Sequence, residues 1–238
     1  MLTDMLYNPF KKLEKHEWIL WLISLVAVLL PGILSKSSDF LTLLSTAIGV
    51  TALIFVARGD AWGQLLTMVF GVLYAFVSYR TKYYGEMITY VGMSLPAAGF
   101  ALYSWLKNPY RQGEVKIHKL KKAEIIGIIS ASLFVTFIFF FLLKALGTAR
   151  LSVSTVSVFT SFLACALLFF RSPYYALAYG ANDIVLIVLW VLASLKDLSY
   201  LPMIMCFAAF LANDSYGFFS WKIREKKQKS SNNRPRLN

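Results

Sequence analysis

Residues 198–221 read LSYLPMIMCFAAFLANDSYGFFSW. At ~1.5 Å rise per residue this stretch is long enough to cross ~30 Å of hydrocarbon as a helix. Asn213 and Asp214 sit near its middle. An ionised Asp at that depth costs about 2.5–3.5 kcal/mol even on an insertion scale, so it does not belong on a lipid-facing surface. At helical spacing Asn213, Gly217 and Trp221 share one stripe, with Tyr216 beside it and Asp214 on the adjoining edge. Such a surface offers aromatic faces, an amide and a carboxylate to a flat polar ring. The plainer reading is that the Asn and Asp hold a neighbouring helix.

The rest of the chain matches this stretch in kind. Of 238 residues 58% are hydrophobic and only 15% charged, against ~45–50% and ~25% in soluble domains. The apolar residues form successive long runs, which predicts a polytopic membrane protein with no separate soluble domain. The net charge of +12 does not point to nucleic acid, because the basic residues collect in connectors and at the ends. Cys165 and Cys206 both fall inside predicted spans and read as packing residues rather than a disulfide.

A basic N-terminal segment, 1–16, precedes an apolar run from Trp18 to Leu34 that closes at Pro31-Gly32 and is read as a retained span over 17–34. Seven further spans are expected at 39–57, 61–79, 86–106, 123–146, 151–170, 174–195 and 198–221. The short connectors at 57–60 and 171–173 make the spans they join antiparallel neighbours. With the N-terminus inside, 18 Lys and Arg fall on the inner side and 6 on the outer, which places both ends in the cytoplasm. The tail 222–238 reads as basic and disordered, able to meet anionic lipid headgroups.

An offset of 116 aligns Tyr84 with Tyr200, Met87 with Met203, Ile88 with Ile204, Ser104 with Ser220 and Trp105 with Trp221. Arg58 and Arg171 each occupy a tight turn between the first two helices of a triplet. The expected architecture is therefore all-α and membrane-integral. Two parallel three-helix repeats, 39–106 and 151–221, are joined by a basic loop and linker helix over 107–146 (3+1+3), after one additional N-terminal helix. An odd linker span lets both triplets run the same way, and such repeat pairs hold their substrate at the interface near the midplane.

Asn182 and Asp183 repeat the Asn-Asp pairing in the preceding span, with Tyr179 and Trp190 nearby. Two such pairs at corresponding depths of adjacent helices favour a wet cavity over simple helix contacts. Gln64, Thr67, Gly71, Tyr74 and Ser78 form a counterpart stripe, and Tyr83, Tyr84, Glu86 and Thr89 open the next span, where Pro96 is expected to kink the helix. The two histidines, His16 and His118, lie in connectors. No haem or metal cluster, no Ser-His site and no phosphate-binding GxxxxGK[ST] loop is encoded in the spans. An enzyme is therefore not expected, and neither a cofactor nor a metal.

YYGEMITYVGM (83–93), YGANDIVLIVLWVLAS (179–194) and LANDSYGFFSWK (211–222) resemble the PnuC family of nicotinamide riboside transporters. The resemblance covers the chain from about residue 20 to 222. It implies a scaffold related to the SWEET sugar transporters and uptake of nicotinamide riboside by facilitated diffusion across the bacterial inner membrane. It also implies a homotrimer and trapping of the nucleoside by a separate cytoplasmic kinase. Asn182 and Asn213 fall on family asparagines of the last two helices, and Gln64 on a polar position of the first triplet; the reading of the spans adds Tyr83, Tyr84, Glu86, Thr89, Tyr179, Asp183, Trp190, Asp214, Tyr216 and Trp221 as candidate site residues. Some members carry Trp around the asparagine equivalent to Asn182; here the nearest is Trp190. Relatives for other vitamins, thiamine among them, share the scaffold, and a purely structural membrane protein is the third alternative.

Overall fold

In a computed structural model of the chain, residues 7–34, 40–80, 87, 90–111, 114–148, 150–195 and 201–232 are described. They include eight α-helices: α1 (Lys15–Leu34), α2 (Phe40–Ala57), α3 (Ala61–Arg80), α4 (Leu95–Lys107), α5 (Lys122–Ala145), α6 (Leu151–Phe169), α7 (Tyr175–Ser194) and α8 (Leu201–Asn232). Four of them carry segments long and apolar enough to cross a membrane: Phe40–Ala57, Lys122–Ala145, Leu151–Phe169 and Tyr175–Leu192. Burial is the reverse of a soluble protein's. Glu17, Gln64, Asn182, Asp183, Asn213 and Asp214 are buried, while α1 and α5 expose Ile23, Val26, Phe134 and Phe137. Large exposed apolar faces of this kind suit hydrocarbon.

Helices α2, α3 and α4 pack as one group and α6, α7 and α8 as another, with α5 lying against α6 and α1 against α2 and α8. The two groups meet at one end of the bundle, here called the hairpin end. There Trp105, closing α4, donates its indole N–H to the Leu168 carbonyl at 3.1 Å. Trp221 of α8 donates to the Val56 carbonyl at 3.0 Å. Each indole thus caps the end of the first helix of the other group, and the two ring centroids lie 5.5 Å apart. Both rings are almost fully buried, and Tyr175 packs edge-on against Trp221.

The turns beside these contacts share one hydrogen-bond pattern. Gly59 N–H donates to Val56, Asp60 N–H to Phe55 and Gly63 N–H to the Asp60 carbonyl; 112 residues later Arg171 donates to Leu168, Ser172 to Leu167 and Tyr175 to Ser172. This register pairs Gly59 with Arg171, so the two turn arginines, Arg58 and Arg171, are one position out of step. Both Gly59 and Arg171 have left-handed backbone, with φ of 70° and 57°. Glycine adopts that conformation freely and arginine at a cost. The Arg171 side chain is anchored in compensation, donating to Ser104 Oγ at 2.6 Å and to the Lys116 carbonyl at 3.1 Å.

Three expectations are corrected. The chain is not purely helical: the basic connector forms a small antiparallel hairpin, β1 (Pro109–Arg111) with β2 (Glu114–Val115). Val115 N–H donates to the Gly59 carbonyl and His118 N–H to the Arg171 carbonyl, so the connector fastens both turns. The basic tail is not disordered where it is described. Helix α8 runs on to Asn232 because Glu225 pairs with Lys222 and Lys229 on one helix face. The Gln228 amide also brackets the hairpin, accepting from Ile117 N–H at 2.9 Å and donating to the Val115 carbonyl at 3.0 Å. Finally, α1 does not close at Pro31 but continues through it to Leu34. Near Pro96 the helix carries a π-turn over Tyr90–Ser94, immediately before α4. Proline has no N–H to return to the preceding turn, and a π-turn is one way a helix absorbs that loss.

Candidate substrate site in the bundle interior

Four helices carry buried polar atoms with no hydrogen-bond partner. They are Ser45 Oγ on α2, both amide atoms of Gln64 on α3, Asp183 Oδ2 on α7 and Asn213 Oδ1 on α8. Gln64 is fully enclosed. An unpaired buried donor or acceptor costs about 1–3 kcal/mol each, so such atoms gather where another group is meant to arrive.

The two Asn-Asp pairs divide their tasks. Asp183 of α7 and Asp214 of α8 are both buried and lie near each other where the two helices pack. Asn182 turns to α6, where its Oδ1 accepts from Ser157 Oγ at 3.0 Å and Thr160 Oγ1 at 2.9 Å. Asn213 turns to α1, donating from Nδ2 to Ser24 Oγ and to the Ala209 carbonyl, each at 2.8 Å. Both asparagines therefore hold helices together as well as presenting polar atoms inside. Tyr179 is half-buried, with its hydroxyl 3.1 Å from Cys165 Sγ. Trp190 lies half-buried about three turns further along α7.

Two expected residues belong instead to the closure at the hairpin end. Trp221 is sealed against Trp105 and Tyr175, its N–H taken by Val56. The Tyr216 hydroxyl donates to Glu17 Oε1 at 2.6 Å and lies 3.2 Å from His16 Nε2. Tyr83, Tyr84, Glu86 and Thr89 lie outside the described residues. Reading the sequence alone misses Ser45, Ser24, Ser157 and Thr160, because isolated hydroxyls in apolar helices usually bond their own preceding turn and carry no pattern.

It also misses an ion pair. Glu17 of α1 and Arg58 of the α2–α3 turn are buried and salt-bridged. Glu17 further accepts from the Glu14 N–H at 2.7 Å. Beside it, Asp60 accepts from the Tyr7 hydroxyl at 2.5 Å and from the Trp62 N–H at 3.0 Å. Burial pushes the Asp60 carboxyl above its ordinary range. These contacts dock the N-terminal segment onto the first turn of the bundle.

The family profile described as "Nicotinamide mononucleotide transporter" matches residues 39–223. The chain belongs to this family. The matched region contains α2 to α7 and α8 as far as Ile223, and begins after α1. Among curated relatives, the nicotinamide riboside transporter PnuC of Neisseria mucosa is 26% identical over 214 residues, covering 87% of this chain and 81% of the relative. PnuC of Haemophilus influenzae is 22% identical over 206 residues, covering 85% and 88%. A crystal structure of the vitamin B3 transporter PnuC superposes with a TM-score of 0.77 at 24% identity, over 95% of this chain and 97% of that one. The fold is therefore shared across the whole bundle, α1 included. As a member of a transporter family the protein is a multi-pass membrane protein and not an enzyme.

Proposed function

We propose that this protein imports nicotinamide riboside by facilitated diffusion, holding it among α2, α3, α7 and α8. The observation that carries this reading is the set of unpartnered buried atoms on Ser45, Gln64, Asp183 and Asn213. Nicotinamide riboside presents a carboxamide, ribose hydroxyls and a positive pyridinium. An amide such as Gln64 both donates and accepts, as a carboxamide requires. Carboxylates suit the hydroxyls, and the aromatic rings of Tyr179 and Trp190 suit a desolvated cation. The curated relatives carry the riboside in their names, and the family description carries the mononucleotide.

The residues of this chain favour the riboside. A phosphate at mid-membrane needs a cation, and the spans contain no Lys or Arg there. The buried guanidinium of Arg58 is already neutralised by Glu17. Calorimetric titration of the detergent-purified protein is expected to show saturable binding of the riboside, and none of the mononucleotide or of thiamine. Binding of thiamine alone would move the substrate while keeping the site; tight binding of the mononucleotide would overturn the charge argument.

The site makes a second prediction. Gln64→Met removes two unsatisfied polar atoms at similar volume, so the empty protein is expected to unfold at a higher temperature. Riboside affinity is expected to fall about 10- to 100-fold, on the order of 1.4–2.8 kcal/mol of lost hydrogen bonding. A variant with unchanged affinity would remove Gln64 from the site.

The arrangement we propose is two parallel triplets, α2–α4 and α6–α8, with α5 as linker and α1 as an addition. The turn hydrogen bonds recurring 112 residues apart and the exchanged Trp105 and Trp221 caps support it. The charge bias supports a cytoplasmic hairpin end and cytoplasmic termini in a bacterial inner membrane. The family resemblance supports a homotrimer and downstream phosphorylation by a kinase.

A further inference from the structure

Helix α1 has two distinct faces. Ile19, Ile23, Val26 and Leu30 are exposed, as suits lipid. On the opposite side Glu17, Trp21 and Ser24 follow helical spacing, and each bonds the bundle. Glu17 pairs with Arg58, and the Trp21 indole N–H donates to Thr51 Oγ1 at 3.1 Å. Those two contacts reach α2 and the turn after it. Ser24 is buried about two turns deeper than Glu17 and meets Asn213 of α8 instead.

Asn213 is 2% exposed. Both protons of its Nδ2 are engaged, one by the Ala209 carbonyl and one by Ser24 Oγ, each at 2.8 Å. A backbone carbonyl only accepts, so the atom beside it must be the amide nitrogen. What remains is Oδ1, buried and without a partner. It is an acceptor that cannot become a donor. The other unpartnered groups of the candidate site are less committed. The Ser45 hydroxyl can rotate. Gln64 has neither amide atom engaged and can turn either end to a ligand, and Asp183 donates or accepts according to its proton.

We propose that Ser24 is a positioning residue for substrate recognition: by holding the Asn213 nitrogen it fixes Oδ1 as an acceptor for the NH2 group of the substrate's carboxamide. This rests on the riboside reading given above. A ribose hydroxyl gives or takes a hydrogen bond, so an acceptor of fixed polarity selects little among hydroxyls. It does separate a primary amide from a group at the same place that carries no proton. An analogue without that donor leaves Oδ1 buried and unpaired, the situation in which a hydrogen-bonding site rejects a ligand most strongly. In Ser24→Ala one Nδ2 proton loses its partner, the amide is free to turn, and the fixed polarity is lost. Helix α1 lies outside the residues matched by the family profile, and through Ser24 it takes part in selectivity.

The test compares nicotinamide riboside with acetylpyridine riboside by calorimetric titration of the full-length protein. The two ligands share the cationic ring, the sugar and the carbonyl, and differ by CH3 in place of NH2. Wild-type protein is expected to prefer the amide by about tenfold or more. Ser24→Ala is expected to weaken the amide ligand about five- to tenfold and the acetyl ligand hardly at all, so that the preference collapses. Ser24→Thr keeps the hydroxyl and is expected to keep the preference. Ser24→Cys fills the same space with a weak acceptor and is expected to lose it. Loss of packing alone would weaken both ligands together; an unchanged ratio in Ser24→Ala and Ser24→Cys would overturn the proposal. Saturable riboside binding with equal affinity for the acetyl ligand in the wild-type protein would also overturn it and leave the transport reading standing. Absence of riboside binding by folded protein would overturn both. The wild-type comparison needs no variant to fold.

Discussion

Replacing Glu17 by alanine is expected to lower stability by about 3–5 kcal/mol, the range found when one partner of a buried ion pair is removed. Three donors converge on this carboxylate: Arg58 Nη1, the Tyr216 hydroxyl and the Glu14 N–H. Glu17 is 1% exposed and Arg58 8%, so truncation strands a guanidinium in a closed environment. It also detaches α1 from the α2–α3 turn and from α8 at once. At about 2–4 °C per kcal/mol for a chain of this size, the unfolding midpoint is expected to drop by roughly 6–20 °C, read from tryptophan fluorescence in detergent. Glu17→Ala combined with Arg58→Leu is expected to recover part of the loss, because the uncompensated charge is gone. A single variant as stable as the parent would show that water reaches Arg58 and that α1 is held by its other contacts, among them the Ser24–Asn213 hydrogen bond.

The second large effect is expected at Gly63. A Cβ there would lie 2.4 Å from the Val56 backbone nitrogen and 2.9 Å from the Phe55 carbonyl carbon. Backbone cannot step aside as a side-chain tip can, so Gly63→Ala must open the α2–α3 hairpin. Overpacking typically costs about 1–3 kcal/mol and occasionally more; contact with backbone places this case at the upper end. The displacement falls one residue from Gln64 and seven from Val56, whose carbonyl receives the Trp221 cap. Loss of riboside binding is therefore expected together with the loss of stability. Gly92 and Gly127 serve as internal controls, since a Cβ at either meets nothing within 4 Å. Alanine at Gly127, inside α5, is expected to be neutral or slightly stabilising. Equal effects at Gly63 and Gly127 would mean that helix propensity, not close approach, governs these positions.

Both substitutions act at the hairpin end, where closure depends on a few directional contacts. The two indoles reach across to carbonyls of the opposite group, the connector hairpin bonds to both turns, and Gln228 holds the hairpin to α8. Here polar groups are paired, whereas Ser45, Gln64, Asp183 and Asn213 keep buried atoms without a partner. Polar contacts thus specify the end of the bundle, and these four residues keep hydrogen-bonding capacity for a ligand.

Much of the candidate site was legible because membrane spans make polar residues conspicuous. Gln64, Asn182, Asp183, Asn213 and Asp214 stand out against apolar neighbours, since hydrocarbon tolerates each only if something satisfies it. Which partner satisfies it was not legible. Helical spacing places Asn213 on a stripe with Trp221, yet Asn213 bonds Ser24 of α1 while Trp221 caps α2. Ser24 is 189 residues away in sequence, and no local pattern links positions so distant.

The amino-acid sequence by itself determined the helical character of the apolar runs, the membrane class and the polar residues that cannot face lipid. Apolar run length and hydropathy are local quantities, and backbone hydrogen bonding inside a membrane leaves the helix as the economical outcome for each run. Only the tertiary structure decided the pairing of Glu17 with Arg58, the crossing of the Trp105 and Trp221 caps, the ordering of the basic tail and the different tasks of the two asparagines. Those depend on which helix faces lie together. Lys222–Glu225–Lys229 spacing alone permits a helix, but Gln228 bonding to Val115 and Ile117 is what ties it to the bundle. Helix–helix contact in a membrane lacks a hydrophobic drive between apolar surfaces. Partners are therefore chosen by close packing, as at Gly63, and by a few long-range hydrogen bonds.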